Sequence, residues 1–202
     1  MLAIVDYGVG NLFSLTSSFR AIGFEAALIK SPEQLRLADR IVLPGVGAFK
    51  DAADKLRATG LFDALKEEAA RGKPILGICL GMQLLFERSF EFGEHKGLGL
   101  IKGDVRPISD VIPKGLKIPH IGWNDLKFSP HPLFKYLRGE ECVYFVHSFY
   151  GADCPSVIAT TDYGAELTAA VGEKNVLGCQ FHPEKSGRAG LSILKAFCEI
   201  GG

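Results

Sequence analysis

The run Pro74-Ile75-Leu76-Gly77-Ile78-Cys79-Leu80-Gly81-Met82-Gln83 constrains this chain more than any other segment. Its apolar start reads as a buried strand, and the glycines around Cys79 read as a sharp turn that opens a helix. Gly77-Ile78-Cys79-Leu80-Gly81 has the G-x-nucleophile-x-G pattern of an elbow, with cysteine where many hydrolases carry serine. The glycines allow a strained turn and a close approach of neighbouring elements. Such a turn lifts Cys79 above the sheet edge at the start of a helix. Free N–H groups there favour a thiolate and can hold an oxyanion.

A second segment, Gly178-Cys179-Gln180-Phe181-His182-Pro183-Glu184-Lys185-Ser186, supplies what a cysteine nucleophile needs. A free thiol titrates near pH ~8.5, so little thiolate exists at neutral pH without a base beside it. His182 is the candidate base. Glu184 stands two residues on, and in an extended segment the two side chains point the same way. Pro183 restricts its own φ and the conformation of His182 before it. A carboxylate beside an imidazole fixes its tautomer and supports its charged form. Cys79, His182 and Glu184 therefore read as nucleophile, base and orienter. A lone cysteine is usually structural and a lone histidine usually a satisfied core residue. The flanking glycines and the His-Pro-Glu spacing set these two apart.

The chain has 202 residues, 47% of them hydrophobic, and a formal net charge of zero, which suits one globular domain over residues 1–202. Charge balance argues against a nucleic-acid partner, and the lack of a run of ~18 apolar residues argues against a membrane one. Met1-Leu2-Ala3-Ile4-Val5-Asp6 has no basic signal-peptide start. Five scattered cysteines make no disulfide framework, so a reducing cytoplasmic setting is expected. Cys142, Cys154, Cys179 and Cys198 read as small packing residues. No CxxC pair or close Cys/His cluster suggests a metal, and no cofactor is expected.

Strand and helix alternate through the first half. Apolar runs at residues 2–5, 25–29, 40–43 and 74–78 read as strands. Leu12, Leu15, Phe19 and Ile22 mark a helix face, Asp51 to Arg71 is mostly helical with a break at Gly60, and Leu80 to Glu87 is the helix behind the elbow. Strands without alternation, separated by helices, argue for a mainly parallel sheet covered on both faces. From Gly97 to Cys179 the runs 142–146, 156–161, 167–171 and 176–179 read as further strands and hairpins, some antiparallel. Gly187 to Ile200 reads as a closing helix with Leu191, Leu194 and Phe197 or Cys198 inward.

Three separated segments in this order resemble the class I, triad-type glutamine amidotransferases: Pro44-Gly45-Val46-Gly47, the elbow through Gln83, and Gln180 to Ser186. Four further features resemble one branch of that class, the glutaminase subunits of imidazole glycerol phosphate synthases in histidine biosynthesis. These are Asp6-Tyr7-Gly8-Val9-Gly10-Asn11-Leu12, Pro119-His120-Ile121-Gly122-Trp123-Asn124, Tyr144-Phe145-Val146-His147-Ser148-Phe149, and Met82 after the elbow. The resemblance runs from residue 2 to about residue 198. It implies an α/β, flavodoxin-like three-layer fold: a mixed, mostly parallel sheet flanked by helices. It also implies hydrolysis of L-glutamine to L-glutamate and ammonia, passed to a cyclase subunit in a heterodimer. The free subunit is expected to be nearly inactive, with the loop near Val46 as a switch.

The resemblance further implies an oxyanion hole built from backbone N–H groups of Leu80 and of the Val46–Gly47 region. It implies glutamine contacts at Gly47, Gln83, Ser148 and Phe149. Asn11 and Trp123 would face the cyclase, and Tyr144 with Lys185 would help seal the ammonia exit. One departure is visible: the family often has tyrosine where this chain has Phe149, and Tyr150 would face the other way in a strand. Read from the residues alone, Pro44-Gly45-Val46-Gly47 could be a plain tight turn, Gln83 a surface amide, Trp123 core, and Lys185 with Tyr144 a surface pair. His120 and His147 are as well explained by packing as by catalysis. Gly8-Val9-Gly10-Asn11-Leu12-Phe13 invites a dinucleotide reading. Phe13 would crowd helix against strand, however, and Lys30 rather than an acid ends the second strand, so no nucleotide is expected. The alternatives are a glutaminase serving anthranilate, pyridoxal phosphate or nucleotide synthesis, or a silent regulatory subunit on the same fold.

Overall fold

The computed structural model describes residues 1–201. The first half builds β1 (Leu2–Val5), α1 (Leu12–Ala21), β2 (Ala26–Ile29), a short α2 (Pro32–Arg36) and β3 (Arg40–Leu43). Next come α3 (Phe49–Ala58) and α4 (Leu61–Ala70), separated at Gly60, whose φ of 72° breaks the helical run. β4 (Ile75–Ile78) leads through Cys79 into α5 (Leu80–Leu84). The second half is mostly strands: β5 (Phe86–Ser89), β6 (His95–Lys96), β7 (Ile101–Pro107), β8 (His120–Phe128), β9 (Glu141–His147), β10 (Phe149–Ala152), β11 (Val157–Asp162), β12 (Glu166–Glu173) and β13 (Val176–Cys179). A 3-10 turn at Pro183–Lys185 precedes α6 (Gly187–Cys198).

Nine strands form the main sheet in the order β2-β1-β3-β4-β13-β12-β11-β8-β9. Pairing is parallel from β2 to β13 and antiparallel from there outward. Four further strands make a second sheet, β10-β7-β5-β6, that the sequence did not foretell. β1, β4 and β13 are buried at every residue, because helices cover both faces of the sheet centre. Ala3 and Val5 face a core with Phe49 and Leu56 of α3 and Leu61 and Leu65 of α4. Leu2 and Ile4 face the opposite core, with Leu15 and Phe19 of α1 and Ile193, Leu194 and Phe197 of α6. β8 alternates between buried and exposed positions, which leaves one face of the antiparallel extension open. No helix among the described residues is long and apolar enough to cross a membrane.

Several expectations need correction. The helix behind the elbow stops at Leu84, well short of Glu87, because the returning chain takes its carbonyls. Leu98 N–H bonds to Leu84 O at 2.8 Å, and Leu100 and Ile101 N–H bond to Leu85 O at 2.8 and 2.9 Å. Phe86–Ser89 is thereby released to pair with β7. In α6 the large inward side chains are Ile193, Leu194, Phe197 and Cys198, while Leu191 is only half-buried. Phe13 is 84% exposed and crowds nothing, so that argument against a dinucleotide site does not hold. Cys142 is exposed rather than packed, and its thiol lies 2.8 Å from Asp125 Oδ1.

Phe197 is fully buried between α6 and the sheet. Phe197→Ala should lower the unfolding free energy by about 3–5 kcal/mol in urea titrations, with the far-ultraviolet spectrum retained in water.

Candidate active site

The elbow is held by contacts that admit no side chain. A Cβ at Gly81 would lie 1.8 Å from the Leu43 carbonyl oxygen, and one at Gly77 would lie 2.6 Å from the Gly81 oxygen. A Cβ at Gly45 would meet Gly81 N at 2.7 Å. The Pro44–Gly47 loop and the elbow are therefore pressed together backbone to backbone, one after β3 and the other after its neighbour β4. Cys79 has φ 55° and ψ −112°, a strained conformation for a residue with a side chain and the mark of a nucleophile elbow. Its N–H donates to Cys179 O at 2.7 Å, which ties the turn to the end of β13.

His182 follows β13 and sits at the start of the 3-10 turn, not in an extended strand as the sequence suggested. The tight turn still brings Glu184 Oε1 to 2.8 Å from His182 Nδ1. The backbone of His182 is clamped to β9. Its N–H donates to Tyr144 O at 2.9 Å, while Ser186 Oγ donates to His182 O at 2.6 Å and accepts from Tyr144 N–H at 2.9 Å. A Cβ at Gly190 would lie 1.9 Å from Pro183 O, so α6 presses directly on this turn.

Burial works against a charge on His182, but its hydrogen bonds to Cys79 and to Glu184 outweigh that and hold the imidazole up at about 10. The ring is therefore a cation beside the Cys79 sulfur at neutral pH. The other four thiols are all held toward the protonated form. Burial raises Cys179, Cys154 and Cys198, the last to about 12, and the Asp125 carboxylate raises Cys142. Of the five thiols, Cys79 is the one that shares a hydrogen bond with a cationic imidazole.

A cavity of about 640 Å³ opens over the pair. It brings together Cys79, His182, Val46, Gly47, Leu80, Gln83, Ser148, Phe149 and Lys185, most of the positions the sequence singled out. Tyr150 packs away from it against Ile108 and Ile112. Trp123, 55% exposed, meets the Tyr144 ring edge-on at 6.0 Å, and Lys185 Nζ stands 5.8 Å from the same ring. These three make one exposed patch beside the cavity. Asn11 does not join their contacts. It caps α1 through Ser14 N–H and lines a small void with Pro44, Val46, His182 and Glu184.

Two residues escaped the sequence reading of the site. Gln180 is fully buried; its Oε1 accepts from Gln83 Nε2 at 3.0 Å and its Nε2 points at Cys79 Sγ at 3.8 Å. Its position two before His182 was the available signal. Tyr7, just after β1, donates its hydroxyl to Pro44 O at 2.9 Å and so pins the loop that carries Val46 and Gly47.

A family model described as glutamine amidotransferase class-I matches residues 3–200. The imidazole glycerol phosphate synthase subunit HisH of Sulfurimonas denitrificans is 50% identical over 200 residues, spanning 98% of this chain and 97% of its own. The HisH subunit of Lactococcus lactis is 49% identical over 202 residues, spanning 98% of each chain. Among solved structures, a glutamine amidotransferase superposes with a TM-score of 0.77 at 20% identity, covering 98% of this chain and 100% of that one. PurLQS from Thermotoga maritima does so at 0.76 and 22% identity, covering 98% and 96%. At those identities the structural likeness speaks to the fold.

Because the folded value of His182 is raised from 6.5 to about 10, its charge stabilises the native state fully below pH about 6.5 and progressively less toward pH about 10. Urea midpoints measured across that window should fall with rising pH. His182→Gln should flatten the fall, and an equal slope in both proteins would contradict the assignment.

Proposed function

The chain belongs to the class I glutamine amidotransferases, and from that premise we propose that it is the glutaminase subunit of an imidazole glycerol phosphate synthase. The observation that carries the reading is the pairing of Cys79 with a cationic His182 at the floor of one cavity, with Glu184 behind the imidazole. The Cys79 thiolate attacks the side-chain amide carbon of glutamine. Backbone N–H groups of Leu80 and of the Val46–Gly47 region take up the oxyanion. As the tetrahedral intermediate collapses, His182 gives its proton to the departing ammonia and is left neutral. It then removes a proton from water, which attacks the glutamyl thioester. Glutamate leaves, and thiolate and imidazolium are restored. Glu184 holds the ring in the orientation both steps need.

Gly47, Gln83, Ser148 and Phe149 surround the space a glutamine would fill, which supports their assignment as substrate contacts. Gln180 aligns Gln83 and turns an N–H toward the sulfur. The partner in this reading is the cyclase subunit, bound over Trp123, Tyr144, Lys185 and Asn11. The exposed aromatic patch beside the cavity supports that placement, since tryptophan and tyrosine are favoured at interface centres. Ammonia passed directly across such an interface is not protonated by bulk water and keeps its nucleophilicity. The reaction uses no cofactor in this reading, and the subunit works in the cytoplasm.

The test is glutamine hydrolysis with and without a purified cyclase subunit and its nucleotide ligand. Strong stimulation is expected, and Cys79→Ala should remove more than about 10⁴-fold of the stimulated rate. Equal rates with and without the cyclase, still lost in Cys79→Ala, would discard the histidine-pathway partner and keep the glutaminase. No labelling of Cys79 by a glutamine-like electrophile would point to a silent subunit.

A further inference from the structure

Two histidines stand outside the triad. His120 of β8 and His147 of β9 face each other across the antiparallel ladder, and both are buried. They are linked in a chain: Phe149 O to His147 Nδ1 at 2.8 Å, His147 Nε2 to His120 Nδ1 at 3.1 Å, and His120 Nε2 to Asn124 Oδ1 at 2.8 Å. The Asn124 amide cannot turn over without loss, because its Nδ2 donates to Asp162 O at 2.9 Å. Both ends of the chain are therefore acceptors. Three hydrogen bonds between two acceptor ends require three ring protons, and two neutral imidazoles bring only two. One bond stays unmade unless the pair carries an extra proton.

The surroundings say which ring holds it. His120 lies between two aromatic faces, Tyr163 at 4.0 Å and 17° and Phe145 at 5.0 Å and 18°. A flat cation between two π faces is favoured. His147 instead lies on the cavity side, toward the cationic His182, which opposes a second charge there. The titratable groups around the pair are His182 after β13, Tyr163 after β11, and Asp162, whose carboxylate accepts from Gly164 N–H. Burial pushes both imidazoles down, His147 to about 4. The acceptor ends and the aromatic faces act against that push at His120.

We propose that the His120–His147 pair holds one extra proton, carried by His120 as a buried imidazolium, and that the completed chain positions the Phe149 carbonyl in the wall of the substrate cavity. That carbonyl also accepts from Gln83 Nε2 at 3.1 Å, so the histidine chain and the substrate-side amide meet on one oxygen. His120 is thus a positioning residue for the Ser148–Phe149 wall, which it never touches. This second half of the proposal rests on the glutaminase reading given above, whereas the proton assignment does not.

Nitrogen NMR of the full chain with ¹⁵N-labelled histidine rings tests the first half directly. At pH 7 both ring nitrogens of His120 should be protonated, while His147 should be neutral with its proton on Nδ1. Tyr163→Leu should lower the His120 titration midpoint by about one pH unit. A pyridine-type nitrogen on His120 at pH 7, or an unmoved midpoint in Tyr163→Leu, would overturn the assignment. In the cyclase-stimulated assay, KM for glutamine should rise roughly tenfold as pH climbs through the His120 midpoint, with kcat changed far less. His120→Gln should show the raised KM at every pH. A KM that ignores both the midpoint and His120→Gln would end the positioning role. Absence of turnover under all conditions would instead sink the glutaminase reading, and the spectra would still decide the proton.

Discussion

Everything in this site hangs on a contact that contains no side chain. The loop after β3 and the turn after β4 meet through Gly45 and Gly81, and at Gly81 even a methyl group would overlap the Leu43 carbonyl. Two neighbouring parallel strands thus end in two backbones at van der Waals distance. One carries the thiol, and the other carries the amides proposed to face it. Interiors are packed like crystals, so such a contact transmits position without slack. The strained φ of Cys79 persists because these neighbours leave the turn no other path.

The remaining functional groups arrive from far away in sequence and are fixed by polar bonds rather than by close packing. His182 is hung on the backbone of Tyr144, with Ser186 as the second fastening. Gln180 bridges Gln83 and Cys79, and the Phe149 carbonyl collects donors from Gln83 and His147. Nearly every one of these groups is buried, and a buried polar group left without a partner is costly. The network therefore stands or falls as a unit. The site combines a stiff apolar-backed elbow with a hydrogen-bonded cover contributed by β9, β10 and the turn before α6.

How much of this could be read from residues alone follows the range of the forces involved. The parallel core was legible because β1, β3, β4 and β13 are short uninterrupted apolar runs, and burial on both faces needs no alternation. The elbow was legible because its glycines are local steric requirements. The end of α5 was not: the Leu84 and Leu85 carbonyls accept from N–H groups of residues 98–101 instead of from a further helical turn, a tertiary competition that no local propensity reports. The His182–Glu184 contact was anticipated through an extended backbone but is made by a 3-10 turn, since two residues can meet in either way. Gln180 and the pairing of His120 with His147 depend on strand register across the sheet, which sequence spacing does not contain.

The strand order carries one more consequence, for the order in which a growing chain could complete itself. β13 is the last strand to be made, yet it is the fifth of nine in the sheet, wedged between β4 and β12. Until it inserts, the sheet is two separate pieces: the parallel strands that carry the thiol and the antiparallel strands that cover it. The segment that joins them continues within three residues into His182. A chain emerging from N- to C-terminus therefore receives its nucleophile early, as an isolated thiol. Its base comes with the same stretch that closes the sheet. Assembly of the catalytic pair and closure of the fold are one late event.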